Sequence, residues 1–218
     1  MSTNISPDDI VFDNSYTLTG SGYTISLSGS NNGIVAMDAI LGSSTIDANV
    51  AFGSNVVDLE AASGASINLS GPVSGSASGA VDVGDKGSNG TIDLSGSNSL
   101  SGSVMVFDGT LEANNNNALG TGGMDVFSGE DQAGSGYGVL ELGSGVTVSG
   151  DPLYGITGTL EASGGTATWA GPVTPGYVGG TATFAAATGS VLDISGAISE
   201  SSGGTSVDVG LTGMTGMV

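Results

Sequence analysis

Apolar and polar residues alternate in short bursts along this chain, and the bursts rarely last more than six residues. IVFDNSYTLTG (10–20), YTISLSG (23–29), VVDLEA (56–61), INLSG (67–71), AVDVG (80–84) and TIDLSG (91–96) show the pattern in the first half. VMVFDGTLEA (104–113), VLELG (139–143), VTVSG (146–150), TLEASG (159–164), VLDISG (191–196) and SVDVG (206–210) continue it. A period of two places Val81 and Val83, or Ile92 and Leu94, on one side of a strand and Asp82 or Asp93 on the other. Glycine, serine and asparagine separate the bursts, as expected for many short strands joined by turns. Helix is disfavoured, because few windows of twelve residues avoid several of the 41 glycines. The segment GIVAMDAIL (33–41) fits either a single helical turn or a buried strand.

The bursts also repeat. INLSGPVSGS (67–76), IDLSGSNSLSGS (92–103), ATWAGPVTPG (167–176) and LDISGAISES (192–201) share Gly71, Gly96, Gly171 and Gly196, at intervals of 25, 75 and 25 residues. The middle interval reads as three steps of 25. TLEANN and TLEASG form a second echo, with Leu111 and Leu160 separated by 49 residues, close to two steps. One such step is the length of one coil of a solenoid, whose apolar side is buried only by stacking on its neighbours. The expected fold is therefore all-β, a right-handed parallel β-helix with coils of about 25 residues, forming one domain over residues 1–218. About eight coils spaced by about 4.8 Å would make a rod near 40 Å long. A sandwich of antiparallel strands is the rival fold, and in it the interval would be accidental. Asn114 to Asn117 then read as a coil corner, since asparagine side chains bond to nearby backbone in turns.

Charge narrows the function. The chain has 21 acidic residues against one lysine, Lys86, with no arginine or histidine, for a net charge of −20. Nucleic acid and anionic membrane surfaces call for cations that this chain lacks. Salt bridges cannot hold the fold, so backbone hydrogen bonds and apolar stacking must. Valine, leucine, isoleucine and phenylalanine make up 51 of 218 residues, just above the range typical of disorder. Their even spacing decides for a folded chain.

Catalytic chemistry is poorly supplied. Without histidine or cysteine there is no imidazole-based triad and no thiol nucleophile. Ser–Lys chemistry would need Lys86, which sits in VGDKGSNG and reads as an exposed turn residue. Paired carboxylates can cleave glycosidic bonds. Asp82, Asp85 and Asp93, as neighbours across adjacent strands, and Glu130 with Asp131 are the candidates, although solvated outward carboxylates are the plainer reading. GSNGTIDLS (87–95) and SGGTSVDVG (202–210) approach a calcium-binding nonapeptide without its spacing or tandem array, and GEDQAGSG (129–136) reads as a loop with at most weak calcium affinity. No metal, cofactor or catalytic residue is therefore assigned. Trp169 and Tyr177 flank AGPVTPG, either as covers for a coil edge or as a platform for sugar.

Two segments carry a family resemblance. GTLEANNNNALGTGGMDVFSG (109–129) resembles the passenger-associated strand repeat of bacterial autotransporters, and DDIVFDNSYTLTGSGYTISLSG (8–29) resembles a strand pair of the same passengers. The resemblance implies a parallel β-helix exported to the surface of a Gram-negative cell, or shed from it, and acting in adhesion, aggregation or as a stalk. Partners would be a surface, a glycan, a protein or further copies of the chain, including a fibre or matrix built from it. The opening MSTNISPDDI lacks a basic region and an apolar core, and the closing LTGMTGMV precedes no barrel strands. The expectation is a piece of a longer surface protein, with no membrane-spanning helix of its own.

Overall fold

The computed structural model describes the chain except residues 28–33, 55, 76–79, 85–86, 127–137, 177–179 and 201–203. Lys86, Asp85, Glu130, Asp131, Tyr177 and the loop 129–136 fall outside the described residues. The described residues contain 24 strands and no helix, and every strand pairing is parallel. Parallel neighbours that are not consecutive in sequence exclude the antiparallel sandwich. The chain is a β-solenoid.

Three sides recur in each coil. Face I is an eight-stranded sheet: β1 (Ile10–Phe12), β4 (Ile34–Ala39), β7 (Val56–Ala61), β10 (Val81–Val83), β13 (Val104–Val106), β15 (Met124–Val126), β18 (Leu153–Ile156) and β21 (Val173–Pro175). Face II has nine strands: β2 (Thr17–Leu18), β5 (Ser43–Ile46), β8 (Ser66–Leu69), β11 (Thr91–Leu94), β14 (Thr110–Ala113), β16 (Val139–Leu142), β19 (Thr159–Ala162), β22 (Thr181–Ala186) and β24 (Ser206–Val209). The third side is split into two short sheets. The first holds β3 (Thr24–Ser26), β6 (Asn49–Ala51), β9 (Val73–Gly75) and β12 (Ser99–Leu100). The second holds β17 (Thr147–Val148), β20 (Thr166–Trp169) and β23 (Val191–Ile194). Nine strands on face II span eight spacings, or about 38 Å.

The core runs as columns down the inside of the rod. Ile46, Leu69, Leu94, Ala113, Leu142, Ala162 and Ala186 are paired in turn on face II, and all are buried. Beside them runs Ile67, Ile92, Leu111, Leu140, Leu160 and Phe184. The TLEA echo is therefore structural, since Leu111 and Leu160 lie two layers apart with Leu140 between them.

The coil length varies more than the sequence repeat suggests. From Leu18 to Ala186 the face II partners are separated by 28, 23, 25, 19, 29, 20 and 24 residues, a mean of 24. Gly71 and Gly96 do stack at one corner, just after β8 and β11. A Cβ on Gly96 would collide with the Gly71 carbonyl oxygen, so only glycine allows the two layers to close. Gly171 and Gly196 stack in the same way, but after β20 and β23 on the third side. The two pairs thus occupy different corners, and the interval of 75 residues is not three coils. Three layers beyond Gly96 the equivalent residue is Gly164, since Leu94 lies in register with Ala162 through Ala113 and Leu142. The same S/A-G-P-V turn serves both corners because each needs a close backbone approach followed by a new strand.

Two long bursts are each divided by a corner. IVFDNSYTLTG gives β1 and β2, and VMVFDGTLEA gives β13 and β14. In the latter, Asp108 turns inward to accept hydrogen bonds from the Gly109 amide (2.9 Å) and the Gly87 amide (3.1 Å), and Gly109 adopts φ 70°. GIVAMDAIL contributes β4, a strand rather than a helical turn.

Candidate functional site

The outward positions of face II form two ladders. One carries Ser43, Ser66, Thr91, Thr110, Val139, Thr159 and Thr183; the next carries Thr45, Asn68, Asp93, Glu112, Glu141 and Glu161. Alternation along each strand directs these side chains out while their neighbours fill the core. An open groove on this face is lined by residues of both ladders, among them Ser66, Asn68, Thr91, Asp93 and Glu112. Burial raises the Asp93 carboxyl above its ordinary value, and the hydrogen bond from Asn114 lowers it. Burial also raises Glu112, with the nearby charges of Glu141 and Asp93 adding to it and Asn114 opposing. Glu161 is raised by burial, by the charge of Glu141 and by a hydrogen bond with Glu141.

Face I presents a second acidic column. Asp58 and Asp82 are directly paired there, with Ala36 on one side and Met105 on the other. Burial first, and the Asp58 charge second, push Asp82 up to about 6. One Asp82 oxygen, Oδ1, is buried without a hydrogen-bond partner. Asp38 is also raised, by burial and then by the charges of Asp9 and Asp58.

The sequence-based pairing of Asp82 with Asp93 does not hold. They belong to consecutive strands of one coil, β10 and β11, but to different faces, so Asp82 neighbours Asp58 and Asp93 neighbours Asn68 and Glu112. A single residue step of alternation cannot predict this, because the coil turns between the two strands. Trp169 is fully buried, with a core residue on each side in Val148 and Ile194, so it is neither a surface platform nor an edge cover. Its indole Nε1 has no hydrogen-bond partner. No group of three or more acidic, histidine or cysteine side chains among the described residues is placed to hold a metal ion. No helix among them is long and apolar enough to cross a membrane.

The asparagine run is a corner, and each member has a separate task. Asn114 Nδ2 donates to Asp93 Oδ1 (2.9 Å) and Glu112 Oε2 (3.3 Å). Asn115 Oδ1 accepts from the Asn117 amide, closing a local turn. Asn116 Oδ1 accepts from the Thr147 amide one layer up, and Asn117 Nδ2 donates to Ser97 one layer down. Ala118 and Leu119 then enter the core, and Gly120 takes φ 76° where a side chain would strike the Leu100 carbonyl. Polar residues can stand beside buried ones here because the corner faces solvent while the next two residues turn inward.

Sequence reasoning passes over Asn98. Buried among three layers, it accepts from the Val73 amide (2.8 Å) and donates to the Ala118 carbonyl (2.7 Å). The signal was its offset: Asn98 lies four residues after Leu94, as Asn117 lies four after Ala113, and Leu94 and Ala113 are register partners. No protein-family model matches the chain, and neither a curated protein nor a solved structure is significantly similar to it.

Proposed function

We propose that the chain is a non-catalytic structural rod, displayed on or released from a Gram-negative cell surface in the manner of an autotransporter passenger. It presents its outward ladders to other cells, to glycans or to copies of itself. The supporting observation is the register of those ladders. Asn68, Asp93, Glu112, Glu141 and Glu161 repeat along one flat face at about the strand spacing, a linear array suited to multivalent contact with an extended partner. Many weak contacts in series give avidity without a deep pocket. The composition agrees, since a chain with no histidine or cysteine is poorly equipped for acid–base or nucleophilic work.

Adhesion is tested by coating beads with the purified chain and counting those retained on Gram-negative cells and on immobilised polysaccharides. Retention above that of beads coated with an unrelated protein of equal net charge supports the reading. Equal retention removes it.

A fibre subunit is the second reading, favoured by the last coil. There Val207 and Val209 occupy core columns yet are 50 % and 68 % exposed, and β24 has a free edge. Sedimentation velocity over a hundredfold concentration range, with negative-stain images of the same samples, decides it. Uniform monomers throughout would dismiss fibre assembly.

A further inference from the structure

The four carboxyl groups of face II are stacked in the order Asp93, Glu112, Glu141, Glu161. Parallel register holds successive strands about 4.8 Å apart, a separation at which like charges directly opposite one another repel. The lower pair has a remedy. The Asn114 amide donates to both Asp93 and Glu112, so one neutral group ties the two carboxylates together.

The upper pair has no such amide. The position of Asn114 is taken one layer up by Gly143, whose amide donates to the Ala113 carbonyl as that of Asn114 donates to Leu94. A Cβ on Gly143 would collide with Asn114 Oδ1, so this glycine makes room for the amide below it. One layer further, the Ser163 hydroxyl donates to the Leu142 carbonyl. Among the described residues, no side chain other than Glu161 itself is placed to donate to Glu141. Yet the Glu141 and Glu161 carboxyl groups are hydrogen-bonded to each other. Two ionised carboxylates are both acceptors only, so such a bond needs one of them protonated.

We propose that Glu141 and Glu161 share a single proton, which does between their layers what the Asn114 amide does between the two layers below, and that losing it as pH rises loosens the middle of the rod. The surroundings are complete on the described elements. Glu112 lies beneath, in contact with Asn114 and Asp93. Ala185 lies above, Val139 and Thr159 flank on one side, and Gly143 and Ser163 on the other. None of these is a cation. Burial and the Glu141 charge both raise Glu161, which agrees with a proton retained beyond the ordinary carboxylate range. For a folded value raised above the unfolded one, the added stability is complete below the unfolded value and lost as pH rises through the folded one. The shared proton therefore favours the acid side.

Glutamine supplies the donor without a proton, so E161Q and E141Q are the informative variants. Thermal midpoints are measured from about pH 5 to about pH 8 at fixed ionic strength, with D8N as a control that removes one charge from an exposed site off the ladder. Expected is a midpoint for E161Q about 2–4 °C above wild type at the alkaline end, with a flatter profile, while D8N keeps the wild-type slope. Infrared spectra of the wild type near pH 6.5 should also contain a protonated-carboxyl band that the glutamine variants lack. A wild-type slope in both glutamine variants, an equal flattening in D8N, or a carboxyl band unchanged by E161Q and E141Q each overturns the proposal. Failure of both variants to fold at neutral pH would overturn it as well, because the amide provides the same bond at the same size.

Discussion

Leu140 and Val209 stand in one column of the same sheet, three layers apart, and their surroundings differ completely. Leu140 has Leu111 below and Leu160 above and is fully buried. Val209 has Phe184 below and nothing paired above, and it is 68 % exposed. Both are apolar residues in well-formed strands, so strand formation is not what distinguishes them. In a solenoid each layer draws its stability from two neighbours, and the last layer has one. The middle coils carry the energy of the rod, and the last coil is held mainly by hydrogen bonds to the layer below.

The strongest way to break that comparison is to truncate both residues. L140A should cost about 2–5 kcal/mol in denaturant unfolding, because the neighbouring layers cannot collapse into the space. V209A should lie within about 0.5 kcal/mol of wild type. Equal losses would mean that the layers do not stack as described. Next in size, N98A removes a buried side chain that links the amide of Val73 to the carbonyl of Ala118 across three layers. A loss of about 1–3 kcal/mol is expected, read from the same unfolding curves, since two buried backbone groups lose their partner.

D82N sharpens the comparison through pH. Asp82 is held at about 6 in the fold against an ordinary 3.8, so its contribution is fully present below about 3.8 and lost as pH rises through about 6. Wild-type protein should therefore melt lower at pH 7.5 than at pH 5, and D82N should remove part of that slope while raising the neutral-pH midpoint. A D82N profile parallel to wild type would place the burden elsewhere. The smallest effect concerns local opening: amide exchange should be fastest along β24 and slowest along β16, with no mutation at all. Uniform protection along face II would contradict the difference between middle and end.

Much of the fold is legible in residue order. Alternation marks β7, β11, β16 and β19, and the TLEA echo marks the true spacing of Leu111 and Leu160. It misses β22, whose TATFAA is built from small residues without β-branched alternation, and β9, whose VSG ends in glycine. Those segments become strands because paired neighbours on both sides satisfy their backbone groups, a condition that no local pattern records. The glycine interval misleads for a related reason. A repeated turn sequence specifies a close approach and a new strand, but not which corner of the coil it serves.

The candidate site divides in the same way. That Asp93, Glu112, Glu141 and Glu161 point outward follows from alternation alone. That they stand over one another, while Asp82 stands over Asp58 on a different face, depends on coil lengths that range from 19 to 29 residues. The role of the asparagines is intermediate: residue type predicts a corner, and only the layers above and below decide what each amide reaches. Order along the chain thus fixed the strands, the turns and the side of each strand that turns to water, because these depend on neighbours within a few residues. Stacking decided which side chains meet and which layers are covered, because a coil one residue longer or shorter shifts every contact above it.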